Sequence, residues 1–241
     1  MRIENSKGDE ISNIDEWAAL YDTPKKRIHW KPQRSAYSTA EFILNHNGAA
    51  YLQDKVSKLV GEAVTLERAV PEYEQRFDPF YNGREHDLGI FGSTPAGKSV
   101  FVGLEAKVDE TFGALVKAAY RAAKAKESSG KDTNAPERIE RLLALHFAEP
   151  TDAMWDVRYQ LLYATAGTLA AGADISVLYV LVFRTLDYNP DIGESNQRDY
   201  QDFIELAGGK DLAQGSDACL HELMLDGKRL LCRYETIDLY A

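Results

Sequence analysis

The strongest constraint on the fold of this sequence is a run of apolar and β-branched residues at positions 175–183, ISVLYVLVF. A run that does not alternate between apolar and polar residues is typical of a strand covered on both faces. It is far shorter than the roughly 20 apolar residues that cross a membrane as a helix. We therefore expect this run to be the central strand of a sheet with helices on both sides.

Helical and strand patterns surround this run. Apolar residues at helical spacing predict helices at residues 35–59, with a break at Asn47 and Gly48, and at 113–126, 136–147 and 153–171. An extended segment from residue 63 to Pro71 and strands at 86–91 and 99–108 are predicted to run antiparallel in succession. Asp226-Gly227 predicts a hairpin of residues 219–225 and 228–234. With a further helix before that hairpin, this order predicts an α/β fold with a mixed central sheet flanked by helices.

Length and composition indicate one enlarged folded domain. The chain has 241 residues, of which 44% are hydrophobic and 27% charged, and these values exclude intrinsic disorder and collagen-like repeats. A typical domain has roughly 150 residues, so two full domains would be cramped. We expect a core at residues 30–185 with an N-terminal extension, 1–29, and a C-terminal addition, 186–241.

Charge and cysteine content limit the function classes. The formal net charge is −10, which excludes a histone-like binder but not an enzyme that contacts DNA in one groove. Cys219 and Cys232 are too few for a disulfide framework or a structural zinc site, so they predict reduced thiols. The N-terminal residues lack the apolar region of a signal peptide. The chain is therefore expected to be cytoplasmic, with no membrane association.

Basic residues are concentrated in two segments. Residues 24–34, PKKRIHWKPQR, contain no acid and include His29 and Trp30. Lys117, Arg121 and Lys124 share one face of a predicted helix. Both segments are candidates for contacting a phosphate backbone, although short charge runs also form ordinary solvated surface.

The strand at residues 99–108, SVFVGLEAKV, carries the sharpest chemical signal. Its alternation places five apolar side chains on one face and places Glu105 and Lys107 on the other, roughly 6 to 7 Å apart at their Cα atoms. An acid and an amine at the end of a buried strand are costly to desolvate. They form either a plain salt bridge or a reactive site.

Asp87 adds a second acid on the preceding strand. If the two strands pair as a hairpin, Asp87 stands near Glu105 and Lys107 on the same face. Magnesium is typically bound by one or two carboxylates together with waters and substrate phosphates. The lysine would supply a positive charge that positions the attacking water and offsets negative charge on phosphate.

Asp87 followed by Glu105-Ala106-Lys107 resembles the active-site motif of the PD-(D/E)XK nuclease superfamily. The blocks LEAKVDETFG (104–113), RYQLLYATAGTL (158–169) and PEYE (71–74) are similar to those of a bacterial branch of that superfamily. The resemblance covers residues 30–183 and implies a restriction-endonuclease-like αβββαβ core. His86 stands where the superfamily has its proline.

The resemblance also implies roles for individual residues. Asp87 and Glu105 would be ligands of Mg²⁺ or Mn²⁺, with the Ala106 carbonyl as a further ligand, and Lys107 and Gln160 would complete the catalytic set. The implied substrate-binding residues are Lys117, Arg121, Lys124, Arg158 and Tyr163. Glu41 and Glu72 are candidates for the additional acid that many members carry.

Three functions follow from these residues. The first is a nuclease that hydrolyses DNA with a metal-activated water, and its partners would be DNA and, in a homodimer, a second copy of the chain. The second is a nuclease-fold protein without turnover that acts as a binding or interaction module. The third is hydrolysis of a phosphate-containing small molecule at the same site.

Overall fold

One mixed sheet of eight strands organises the computed structural model, which describes residues 1–215 and 218–240. The strands are β1 Arg2–Ile3, β2 Thr65–Gln75, β3 Arg84–Ser93, β4 Ser99–Lys107, β5 Ile175–Arg184, β6 Lys210–Gly215, β7 Ala218–Leu225 and β8 Lys228–Asp238. The α-helices of these residues are α1 Ile14–Ala18, α2 Pro24–Arg27, α3 Ser35–Asn45, α4 Gly48–Val60, α5 Val116–Ser128, α6 Ala135–His146, α7 Tyr159–Ala170 and α8 Pro190–Leu206.

The strand order is β1-β2-β3-β4-β5-β8-β7-β6. Strands β2, β3 and β4 run antiparallel in succession, as expected, whereas β4, β5 and β8 are parallel neighbours. The sheet is therefore mixed, and β5 lies at its centre. The predicted α/β class with a mixed sheet flanked by helices is confirmed.

The central strand divides two hydrophobic cores. Val177, Tyr179, Leu181 and Phe183 pack on one face with α3 and α4, and Leu178, Val180 and Val182 pack on the other with α5 to α8. Every one of these seven side chains is fully buried. The apolar run lacks polar alternation because neither face of the strand meets water.

The first 29 residues contribute one strand to the sheet and several buried side chains to the core. Strand β1 pairs in parallel with β2, with Arg2 opposite Arg68 and Ile3 opposite Ala69. Trp17 in α1 is 1% exposed, and Tyr21 stacks on Trp30 with 4.9 Å between ring centroids. These elements are too short to show a helical or strand periodicity in the sequence. Their stability comes from long-range packing.

The C-terminal hairpin likewise extends the sheet. Asp226 and Gly227 both have positive φ, 50° and 71°, which is the backbone of a type I′ turn between β7 and β8. The predicted helix break is also confirmed, because Asn47 has φ 55° and separates α3 from α4. The predicted helix 153–171 begins later, at Tyr159, since residues 152–156 form a separate 3₁₀ turn.

Candidate active site

Strands β3 and β4 separate at one end, and this separation creates the candidate site. Their last paired residues are Leu88 and Leu104. Beyond them, Asp87 Oδ2 accepts a hydrogen bond of 2.7 Å from the Ala106 backbone N–H. The N–H and C=O of one strand residue point to the same side, so the Ala106 carbonyl also faces the gap beside Asp87.

Glu105 is the most enclosed acid of the site, with 0% exposure. Its Oε1 forms an ion pair with Arg84, and its Oε2 accepts a 2.8 Å hydrogen bond from Gln160 Nε2 at the start of α7. His86 Nδ1 lies 3.7 Å from Oε1. Burial lowers the pKa of Arg84, although surrounding acids oppose that shift. The partner of Glu105 is thus Arg84, and the salt bridge between Glu105 and Lys107 that the sequence also allowed is not formed.

Lys107 is buried at the end of β4, with 4% exposure. In the described part of the chain its ammonium makes no hydrogen bond and no ion pair within 4.0 Å. It lies 5.5 Å from the centroid of the Phe112 ring. Burial lowers its pKa, while Asp87 and Glu110 act in the opposite direction. An amine in this state is available to a ligand that enters the gap.

A second cluster of charges borders Asp87 on β2. Tyr21 donates a 2.5 Å hydrogen bond to Glu72, and Lys26 donates a second, of 2.9 Å, to the same carboxylate. Lys26 also forms an ion pair with Glu85. Burial, with the neighbouring Glu85 carboxylate and Asp87, raises the pKa of Glu72 to about 7. Glu72 has φ 52°, a left-handed conformation that is uncommon for a residue other than glycine.

Arg84 and His86 were missed by the sequence analysis. Simple alternation puts them on the face opposite Glu105, yet both lie on its side, where a Cβ on Gly167 of α7 would meet both side chains. On the neighbouring strand β2, Tyr73 and Gln75 are the partners of His86 and Arg84, and they follow the left-handed Glu72. Burial lowers the pKa of His86 to about 3, so its ring is neutral, and both ring nitrogens lack a hydrogen-bond partner among the described residues.

The remaining predicted site residues are bound to other partners. Glu41 accepts a hydrogen bond of 3.1 Å from Asn45 and lies 3.8 Å from His46, so its contacts are at the end of its own helix. Arg158 pairs with Asp199 at 2.8 Å and donates to the Gly113 carbonyl, which ties α7 to α8. The structure thus brings Asp87, Glu105, Ala106, Lys107 and Gln160 together, with Glu72 beside them.

The predicted basic contacts are partly neutralised. On α5, Lys117 pairs with Asp156 and Lys124 with Glu127, while Arg121 is exposed. Tyr163 donates a 2.7 Å hydrogen bond to the Gly83 carbonyl. In the 24–34 segment, Arg34 pairs with Asp109.

Residues 1–215 and 218–240 contain no group of three or more His, Cys, Asp or Glu side chains arranged to hold a metal ion. None of the helices formed by the same residues has the length and apolar character needed to cross a membrane.

Comparison with known proteins gives a family but no described relative. Neither the search of curated proteins nor the search of solved structures gave a significant match. One family matches nearly the whole sequence, at residues 10–238, and this range includes every residue of the candidate site. The chain therefore belongs to the family described as Domain of unknown function (DUF6946).

Proposed function

We propose that this protein is a phosphodiesterase that hydrolyses DNA with the aid of Mg²⁺ or Mn²⁺. The observation that carries the proposal is the buried Lys107 ammonium, which has no hydrogen-bond partner in the described chain and lies near Asp87. The elements α4, β2, β3, β4, α7 and β5 follow one another in the order of an αβββαβ core, with α5 and α6 inserted before α7. This order supports the proposed restriction-endonuclease-like core.

The oxygens beside the gap fit a hard divalent cation. Asp87 uses one carboxylate oxygen for the Ala106 N–H, and the described residues supply no partner for the other. Each Glu105 oxygen accepts one hydrogen bond and keeps further acceptor capacity. Mg²⁺ needs only one or two protein carboxylates, because waters and substrate phosphate complete its shell. Asp87, Glu105 and the Ala106 carbonyl would hold the ion.

A bound ion of this kind polarises a phosphoryl oxygen and lowers the pKa of a coordinated water. The chain supplies the remaining groups. Lys107 places a positive charge beside the scissile phosphate and can exchange a proton with the attacking water, since burial lowers its pKa. Gln160 and Arg84 hold the Glu105 carboxylate in one orientation.

The Arg84–Glu105 ion pair favours a second candidate, a nucleic-acid-binding module without turnover. The guanidinium already neutralises the carboxylate that would bind the metal. A cation would therefore have to share or displace Arg84, and this competition lowers metal affinity. Lys107 would then contact phosphate without a metal.

Cleavage of labelled single-stranded and duplex oligonucleotides with Mg²⁺ or Mn²⁺ separates the two candidates. Asp87→Asn and Lys107→Met keep the local shape, because the asparagine amide oxygen can still accept from the Ala106 N–H and methionine is apolar and of similar length. We expect each variant to lose at least about 100-fold in cleavage rate, as for a removed general acid–base group. Lys98→Ala is the matched control, since Lys98 lies at the opposite end of β4 in a surface pair with Glu62. Equal rates in wild type, Asp87→Asn and Lys107→Met would exclude the phosphodiesterase.

A further inference from the structure

A pocket of about 310 Å³ opens beside the candidate active site. Its walls are the loop between β2 and β3, the segment that leads into α6, and Tyr159 at the start of α7. Ligand pockets in proteins range from roughly 300 to 1,000 Å³. The cavity is therefore large enough for a small organic group.

The pocket and the site share a wall. Tyr159 faces the pocket, and the next residue, Gln160, holds Glu105. One turn later Tyr163 packs on Tyr159, with 5.6 Å between ring centroids, and donates to the Asn82 carbonyl at 3.1 Å. The Arg84 guanidinium lies 5.7 Å from the Tyr163 ring centroid. A group bound in the pocket would thus lie next to a phosphate bound near Glu105.

The lining combines aromatic rings with amides that have no partner. Phe80, Tyr81 and Tyr159 supply the rings, and Tyr81 is 80% exposed. The side-chain amides of Asn82 and Asn134 make no hydrogen bond within the described residues. Rings that stack on a flat group and amides that pair with its edge are the features that recognise a base removed from its stack.

The same pocket is poorly suited to a phosphate. Its one guanidinium, that of Arg138, is already bound by Asp78 through hydrogen bonds of 2.7 and 2.9 Å. A further acid, Asp132, lines the opening. Arg138 also donates to the Tyr81 carbonyl at 2.9 Å, which fixes the loop that carries Tyr81 and Asn82. The wall is therefore preformed and close to neutral.

We infer that this pocket binds an unpaired nucleobase next to the scissile phosphate. The substrate class would accordingly be single-stranded or locally unpaired DNA. A base in a continuous duplex is stacked and paired, so it could enter the pocket only after it had been flipped out. This inference rests on the proposed phosphodiesterase function for the position of the phosphate.

Calorimetry on the full chain without metal tests the pocket independently of cleavage. The probes are deoxyadenosine 5′-monophosphate and 2-deoxyribose 5-phosphate, which share the sugar phosphate and differ at C1, where the second has a hydroxyl in place of the base. We expect the nucleotide to bind at least about tenfold more tightly, because stacking and edge hydrogen bonds add to the phosphate contact. Equal binding of the two probes would overturn the inference.

Three variants locate the binding. Tyr81→Ala is expected to weaken nucleotide binding by about fivefold or more, the lower limit for stacking on one ring, whereas Tyr81→Phe keeps the ring and the affinity. Asn82→Gly removes the amide but keeps the left-handed backbone, φ 61°, and the carbonyl that binds Tyr163. This variant is expected to weaken binding of the nucleotide and to leave binding of the sugar phosphate unchanged. Unchanged nucleotide affinity in both Tyr81→Ala and Asn82→Gly would place the base elsewhere and overturn the inference.

Cleavage of a single-stranded oligonucleotide with one abasic position separates failure of the pocket from failure of the proposed function. If the pocket is correct, bonds next to the abasic position are cut at least about fivefold more slowly than the same bonds in the intact strand. Equal cleavage rates for the two strands would overturn the inference that the pocket binds a base, and would leave the proposed phosphodiesterase activity supported. Selective binding of the nucleotide with no cleavage of either strand would exclude the proposed phosphodiesterase activity and would support the base-binding pocket.

Discussion

At the scale of single residues, the Glu72 carboxylate makes folding stability depend on pH near neutrality. Its pKa is raised from 4.5 to about 7 by burial and by the neighbouring Glu85 and Asp87 carboxylates. An acid with a raised pKa binds more protons in the folded state, so its contribution is present below pH 4.5 and is lost as pH rises through 7. We expect the free energy of unfolding to fall by up to about 3 kcal/mol between pH 5 and pH 8 from this group.

Denaturant unfolding of Glu72→Gln at several pH values checks this expectation. The variant mimics the protonated acid, so it should lose that fall and be more stable than wild type at pH 8. Glu41→Gln is the matched control, because its carboxylate has the same 19% exposure but contacts Asn45 and His46 and not another acid. A fall of equal size in wild type and Glu72→Gln would contradict the assignment.

The sequence alone predicts some residues of the candidate site and misses others. Alternation along 99–108 and the motif resemblance select Asp87, Glu105 and Lys107, which the structure brings together. The same alternation misplaces Arg84, which pairs with Glu105 although alternation puts it on the opposite face. Lys26 reaches Glu72 from 46 positions away, and no local pattern encodes such a contact.

At the scale of elements, helix α7 approaches the sheet without a side chain at Gly167. A Cβ built there would lie 2.6 Å from Arg84 Cβ and 3.1 Å from His86 Nε2. In an open helix, replacing glycine by alanine stabilises by about 1 kcal/mol. Here we expect overpacking of about 1–3 kcal/mol to exceed that gain. Gly167→Ala should therefore lower the midpoint of denaturant unfolding, and a raised midpoint would show that α7 does not pack this closely.

The elements differ in how well the sequence predicts them. Strand β5 and the β7–β8 hairpin are specified by an apolar run and by a two-residue turn, and both lie where expected. Strand β2 continues beyond Pro71 to Gln75, although proline suggests an end. On its other side β2 pairs with β1 only at Arg68 and Ala69, so Pro71 lies on an open edge where its missing N–H is not needed. Sequence patterns do not show which stretches of a strand are edges.

At the scale of the whole molecule, the net charge of −10 accompanies basic segments that are partly neutralised internally. Lys26, Arg27, Arg34, Lys117 and Lys124 each form an ion pair with an acid. Among the described residues, Arg121 and Arg76 make no such pair, and the Arg76 guanidinium lies 6.0 Å from the Tyr81 ring centroid. These five ion pairs withhold part of the positive charge of the two basic segments from a nucleic-acid backbone.

This internal pairing predicts a modest salt dependence for single-stranded DNA binding. Each phosphate neutralised contributes about −0.7 to the slope of log K against log salt concentration. Two or three contacts near Arg76 and Arg121 give a slope of about −2, while base stacking at Tyr81 adds affinity that salt does not screen. Fluorescence anisotropy of Asp87→Asn with a labelled oligonucleotide at several salt concentrations measures the slope without cleavage.

Arg76→Gln should make the slope shallower by about 0.7. Arg229→Gln should leave the slope unchanged, because Arg229 forms a surface pair with Glu222 on the far hairpin. A slope of about −4 or steeper would contradict this expectation, because it requires about six neutralised phosphates instead of two or three.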